Sequence, residues 1–205
     1  MLGSLSPLGQ RARNSNWGVT ASSYVVGSVA TASLTGLILG GSGAIIAHLV
    51  GTDRFHTVAL LALALGALWG FSLDAGLLAV PLPTRHRQVR GSWRSRYRGW
   101  VYGLGYGAIL GLGVATVVTT AAVYLTLAAE FFSATPAEGL MIGAVFGGVR
   151  AATTLASAGV REAGDFESID ATLRRWAPTS RIICGWGQGL IGTALVALTL
   201  GLLLA

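Results

Sequence analysis

Five long apolar segments alternate with shorter polar segments along the chain. They cover residues 22–50, 57–80, 100–129, 139–160 and 182–205. A helix that crosses a bilayer needs about 20 mostly apolar residues, so each segment is long enough. The pattern predicts an all-α fold, a single integral membrane domain over residues 1–205 built as a bundle of about five helices. The first and third segments are longer than a bilayer needs, which indicates that these helices tilt or are broken inside.

The composition agrees with this pattern. Hydrophobic residues make up 53% of the 205 residues and charged residues only 11%, whereas a soluble domain carries about 25% charged residues. A soluble globule is therefore excluded, and so is a disordered chain, which needs low hydrophobicity. We expect a multi-pass protein of the bacterial cytoplasmic membrane with the lipid bilayer as its partner. A homo-oligomer or a second membrane protein remains open as a further partner.

The basic residues indicate the orientation in the membrane. The polar segments hold two, one, six, none and four Arg in chain order, and the chain has no Lys. Because basic loops stay on the cytoplasmic side, we expect a cytoplasmic N-terminus, an external loop at 130–138 and an external C-terminus. Topology explains the net charge of +6, so we expect no nucleic-acid partner. Residues 165–177 are amphipathic, which predicts a short interfacial helix that ends at Pro178.

Glycines spaced by four predict where helices meet. Lipid tails are as apolar as the side chains, so close backbone approach must hold membrane helices together. The glycines that we assign to helix packing are Gly66, Gly70, Gly99, Gly103, Gly107, Gly111, Gly139, Gly143 and Gly147. Tight packing within the bundle, a homodimer face and a narrow pathway are the alternatives. Similar glycine-rich patterns in 22–80 and 100–160 also suggest a two-helix repeat with parallel copies.

Ionisable residues inside apolar segments are the first candidates for function, because burying them in a membrane is costly. Asp74 and Arg150 both continue a glycine stripe, so we expect them to face the interior and to pair. The pair is interpreted either as a structural ion pair that fixes helix register or as a gate or substrate site. A snorkelling Arg150 without a partner is the third alternative. His48 lies at the outer end of the first segment and is a weaker candidate.

Three threonines could line a polar kink in the third segment. Thr116, Thr119 and Thr120 are candidates for substrate contact, although threonine in a membrane helix usually bonds its own backbone. The chain has one cysteine, Cys184, and three scattered histidines, so we expect no metal site and no cofactor. It also lacks a catalytic motif, and we expect that it is not an enzyme.

One stretch carries a resemblance to known proteins. It includes Pro81-Leu82-Pro83, Arg87-Gln88-Val89, Trp93, Tyr102-Gly103-Leu104-Gly105 and Gly111-Leu112-Gly113. It resembles uncharacterised small membrane proteins of actinobacteria, which in turn are weakly similar to the DsbD/CcdA-type transmembrane family of cytochrome c biogenesis. That family moves electrons through two cysteines, one in each repeat. This chain has no such pair, so the resemblance implies at most a related scaffold.

These observations favour a small transporter or exporter of unknown substrate, because transporters are built from broken helices and intramembrane charges. A non-transporting membrane subunit or scaffold of a larger complex is the alternative, favoured by the glycine faces. A DsbD-type electron-transfer protein is the third and weakest hypothesis.

The orientation can be tested by cysteine labelling of intact cells. In a Cys184→Ala background, we expect Ser133→Cys to react with a membrane-impermeant maleimide added outside. A matched Ser92→Cys, placed in the Arg-rich loop, should react only after the cells are opened. Labelling of position 133 only in opened cells would contradict the predicted topology.

Overall fold

The computed structural model describes residues 16–78, 80, 98–114, 120–155 and 163–204. All regular structure in this part of the chain is helical, which confirms the predicted all-α fold class. The helices are α1 (Trp17–Val50), α2 (Thr52–Asp74), α3 (Gly99–Gly111), α4 (Ala122–Phe132), α5 (Pro136–Leu155) and α6 (Ala163–Leu204).

Three helical segments in the described residues are long and apolar enough to cross a membrane. They are Trp17–Val50, Thr52–Asp74 and Arg174–Gly201. Large apolar side chains such as Leu49, Leu65 and Leu190 are exposed on them, which fits a lipid environment. The expected number of five crossings stays a prediction, as do the cytoplasmic N-terminus and the single integral domain.

The two longest predicted segments behave differently. α1 is one continuous helix of 34 residues, about 50 Å long at 1.5 Å per residue. The predicted third segment is instead divided into α3, with 13 residues, and α4, with 11 residues. Gly113, just after α3, has a φ of +73°, a left-handed conformation that suits a residue without Cβ. Neither short helix alone is long enough for a bilayer.

The predicted interfacial helix is not a separate element. α6 runs without interruption from Ala163 to Leu204 and contains Pro178, so the prediction that Pro178 ends a helix is wrong. Proline removes one backbone donor, but a long helix can continue when the turns on both sides keep their hydrogen bonds. Pro178 therefore removes the donor of only one backbone carbonyl, that of the residue four positions earlier.

The chain forms two compact units. The first contains the described residues 16–34, 98–114, 143–155 and 163–176, and the second contains 35–78, 80, 120–142 and 177–204. α1, α5 and α6 each contribute to both units.

The first unit is held together by glycine contacts with α1. A Cβ built on Gly103, Gly107 or Gly111 of α3 would overlap a carbonyl oxygen of α1, and the carbonyls belong in that order to Thr20, Tyr24 and Ser28. Both series rise by four residues, so α3 runs parallel to α1 with the backbones in contact. Such close approach is what glycine permits between apolar helices.

Ser28 is the point where three helices of the first unit meet. It is fully buried, and its hydroxyl donates to the Gly147 carbonyl of α5 at 3.0 Å. A Cβ on Gly143 would overlap the Ala32 carbonyl, four residues further along α1. Since the α5 number falls as the α1 number rises, α5 runs antiparallel to α1.

The second unit also uses antiparallel glycine contacts. Cβ atoms on Gly36, Gly40 and Gly43 of α1 would collide with the backbone at Gly139, Thr135 and Phe131 in turn. α6 runs antiparallel to α2. Cβ atoms built on Gly185, Gly189 and Gly192 of α6 would lie against Asp74, Phe71 and Leu68 of α2 in turn. A cluster of Phe55, Phe131 and Phe132 with Ala47 and Ala59 packs near the turn at Gly51.

The packing can be tested with two matched alanine substitutions. Gly107→Ala places a methyl on the Tyr24 carbonyl, so we expect overpacking to cost roughly 1–3 kcal/mol and to lower the melting temperature in detergent by several degrees. Gly148→Ala on α5 is the control, because nothing lies within 4 Å of a Cβ there. It should leave the melting temperature unchanged or raise it, since alanine favours a helix by up to about 1 kcal/mol over glycine. Equal effects of the two changes would contradict the contact.

Candidate functional site

Asp74 is a buried carboxylate of the second unit that bonds to two other segments of the chain. It is the last residue of α2 and only 4% exposed. Its Oδ2 accepts the Ala121 backbone N–H at 3.0 Å and the Gln188 Nε2 at 2.8 Å, and Oδ1 lies 3.3 Å from the same backbone nitrogen. One carboxylate therefore joins α2, the start of α4 and α6.

The contact with Ala121 explains how α4 can begin inside an apolar unit. The first N–H groups of a helix have no partner within the helix, and Ala121, the N-cap residue, has no side chain that could accept one. Asp74 supplies the missing acceptor from another helix. Its negative charge also lies at the end of α4 where the helix dipole favours it. The broken third segment thus depends on a residue 47 positions before Ala121.

Gln188 is the second polar residue of this site. It is 4% exposed, and while its Nε2 binds Asp74, its Oε1 is buried without a hydrogen-bond partner in the described structure. A Cβ on Gly70 of α2 would overlap this oxygen. Gly70 therefore leaves the space that the Gln188 amide occupies. A buried acceptor without a donor is costly, roughly 1–3 kcal/mol.

A cavity of about 340 Å³ lies beside this polar pair in the second unit. Its walls are small and apolar residues together with two aromatic side chains. The lining residues are Ala62, Gly66, Trp69, Gly70, Leu73, Ala121, Tyr124, Leu125 and Ala128. Gly66 and Gly70, expected to pack against a helix, also line this cavity, and a Cβ on Gly70 would overlap Gln188 of α6.

Arg150 lies in the first unit among aromatic side chains. Its guanidinium carbon is 5.3 Å from the centre of the Phe146 ring, a cation–π distance. In the same unit Tyr106 stacks on Tyr24 at 5.7 Å and on Tyr102 at 6.1 Å between ring centres. The described hydrogen bonds of the Asp74 carboxylate come instead from amide groups of the second unit. The expected pair of Asp74 and Arg150 stays a prediction.

The remaining candidates are less informative. His48 is exposed in the last turn of α1, and Thr120 is half-buried just before α4. Thr116 and Thr119 lie outside the described residues. Gly99 begins α3. No group of three or more His, Cys, Asp or Glu side chains that could hold a metal occurs in the described part of the chain.

The sequence pattern predicts that Glu130 lies in a loop, and this is wrong. It lies in α4, is only 1% exposed, and its Oε2 has no partner in the described structure. A Cβ on Gly36 of α1 would lie 3.4 Å from its carboxyl carbon. The missed signal is the apolar sequence on both sides, Leu127-Ala128-Ala129 before it and Phe131-Phe132 after it, which continues the helix past the charge.

A double-mutant cycle tests the contact between Asp74 and Gln188. Asp74→Ala leaves the Ala121 N–H and the Gln188 amide without an acceptor, so we expect a loss of stability of roughly 1–3 kcal/mol for each unpaired donor. Combined with Gln188→Leu, the two changes should couple by about 0.5–3 kcal/mol. The control is Asp53→Ala, an exposed residue of the same helix, which should change stability by less than about 0.5 kcal/mol. Denaturant unfolding in detergent measures all four variants, and strictly additive losses would argue against the contact.

Comparison with known proteins finds relatives but no family model. The chain is 36% identical to the methylamine utilization protein MauF of Paracoccus versutus over 143 residues, which are 69% of this chain and 51% of that protein. MauF of Paracoccus denitrificans is 35% identical over 130 residues, 63% of this chain and 46% of MauF. MauF of Methylorubrum extorquens is 33% identical over 123 residues, 60% of this chain and 40% of MauF. No protein-family model and no solved structure matches the chain.

These relatives correct the functional prediction. The chain spans about half the length of the MauF proteins that it matches, and four of them carry the same methylamine utilization name. The prediction of a transporter or exporter is therefore wrong. None of these matches links the chain to the DsbD/CcdA family, and that resemblance stays a prediction. The chain is similar, over most of its own length, to part of MauF.

Proposed function

We propose that this chain is an integral membrane accessory protein of methylamine utilization. The observation that carries the proposal is its 36% identity over 143 residues to a protein named for this process. The long apolar helices support a place in a membrane, and we assign the chain to the bacterial cytoplasmic membrane. Because the match covers about half of each relative, the proposal concerns the process and not the whole activity of MauF.

The role that we assign is structural and not catalytic. The polar groups of the second unit support it, because the Asp74 carboxylate is engaged in joining α2, α4 and α6. The backbone contacts between α1, α3 and α5 in the first unit likewise support a packed scaffold. An accessory membrane component needs such a rigid scaffold, with apolar outer faces for lipid or for a second membrane protein.

Deletion of the gene in its own host tests the proposed function. We expect the deletion strain to lose growth with methylamine as the only nitrogen source, because an accessory protein of this process would be missing. Growth with ammonium is the control and should be normal, and a plasmid copy of the wild-type gene should restore growth on methylamine. A deletion strain that grows on methylamine as fast as the parent would refute the proposal.

A further inference from the structure

The second unit contains two buried carboxyl groups with different surroundings. Asp74 is 4% exposed and Glu130 of α4 is 1% exposed. The Asp74 carboxylate accepts hydrogen bonds from the Ala121 N–H and from the Gln188 amide, whereas Oε2 of Glu130 is buried with no donor in the described structure. Donors that bond to a carboxylate favour its charged form, and burial without them favours the neutral acid. Glu130 therefore lacks, at Oε2, the donors that a charged form needs.

The neighbours of the Glu130 carboxyl group do not supply such a donor. A Cβ built on Gly36 of α1 would lie 3.4 Å from the carboxyl carbon, and it would also overlap the Gly139 carbonyl of α5. The carboxyl group thus lies beside the place where the backbones of α1 and α5 touch, and the residue next to it there has no side chain. The Ser133 hydroxyl donates at 2.8 Å to the backbone carbonyl of Glu130 and not to its carboxyl group.

No charged group of the described second unit compensates this carboxyl group. The other ionisable side chains lie on all the helices of the unit, and none of them forms an ion pair with Glu130. Asp74 bonds to amides, and Tyr124 belongs to α4 itself. The remaining ones are exposed: His48, Asp53, Arg54, His56, Glu138, Arg181 and Cys184. Burial is therefore the factor that governs the charge of Glu130.

A carboxyl group in these surroundings is more stable as the neutral acid. An ionised carboxylate without a counterion or donors is far more costly to bury than the acid, and such a group takes up a proton instead. We infer that Glu130 is a proton-binding site, whose carboxyl group is neutral in the folded protein at about pH 7, and that α1 packs at Gly36 against this neutral form. The inference goes beyond the proposed function and does not depend on it.

A proton held by Glu130 makes stability depend on pH. A glutamate in the unfolded chain has a pKa of about 4.3 and is ionised at neutral pH, so unfolding releases the proton that the folded protein holds. The contribution of Glu130 to stability is therefore expected to fall as the pH rises above about 4.3, because the unfolded chain then binds fewer protons than the folded one. An ionised, hydrogen-bonded Glu130 would make the opposite contribution, which falls as the pH is lowered.

The isosteric Glu130→Gln variant separates these two cases. Melting temperatures of the purified full chain in detergent are measured from about pH 5 to about pH 9. We expect the melting temperature of the variant, relative to the wild type, to rise by several degrees across this range, because glutamine has no proton to lose. The matched control is Glu138→Gln, an exposed glutamate of α5, and its difference from the wild type should stay constant.

Infrared spectroscopy of the wild-type protein detects the proton directly. A protonated carboxyl group has a C=O stretch that an ionised carboxylate lacks, and carbon-13 labelling of glutamate shifts this band. At neutral pH we expect one such glutamate band, absent in Glu130→Gln and kept in Glu138→Gln. Because the labelled wild-type protein carries the band by itself, the test also works if Glu130→Gln does not fold.

Two results would overturn the inference. One is folded wild-type protein that shows no protonated glutamate band at neutral pH. The other is a Glu130→Gln variant whose melting temperature, relative to the wild type, stays constant or falls as the pH rises. In that case Glu130 is ionised in the folded protein, and a donor or a cation outside the described contacts holds it.

Discussion

A helix that begins inside an apolar unit needs an acceptor for its first backbone N–H groups, and in this protein Asp74 provides one for α4. Water cannot supply that acceptor in an apolar interior, and each unpaired backbone group there costs several kcal/mol. The carboxylate comes from the end of α2 and is held in place by Gln188 of α6. The division of the third segment into α3 and α4, the end of α2 and the position of α6 within the second unit all meet at this group.

Glycine determines how closely the backbones approach in both units. α3 lies on α1 with three successive glycines against three successive carbonyls, and Ser28 adds a hydrogen bond from α1 to α5. In the second unit the same mode of packing joins α1 to the segment that leads into α5. Gly66 and Gly70 also line a cavity, and the Cβ that Gly70 lacks would overlap Gln188 of α6. The absence of a side chain therefore serves packing at some positions and opens space at others.

The relatives and the site bear on function at different levels. The name MauF concerns a process, methylamine utilization, and says nothing about which residues act in it. The second unit contributes a buried carboxylate with neutral donors, a buried amide oxygen without a described donor, and an apolar cavity lined by two aromatic rings. Intramembrane charge and a broken helix are also features of transporters. These two features are why the sequence alone favoured transport.

The sequence by itself determined the helical membrane class, because apolar length and scarcity of charge leave few other folds. It also singled out Asp74, since a charge in an apolar segment stands out, and it placed the glycine stripes of α3 and α5. It could not identify the partners of Asp74: Ala121 and Gln188 are neutral residues, distant in sequence, and nothing in their local pattern differs from that of their neighbours. It placed Glu130 in a loop, because a single charge at the end of an apolar run looks the same whether the helix stops before it or continues past it. Which residues lie opposite Gly70 depends on how segments distant in sequence pack, and only the tertiary structure decided that Gly70 borders both Gln188 of α6 and a cavity.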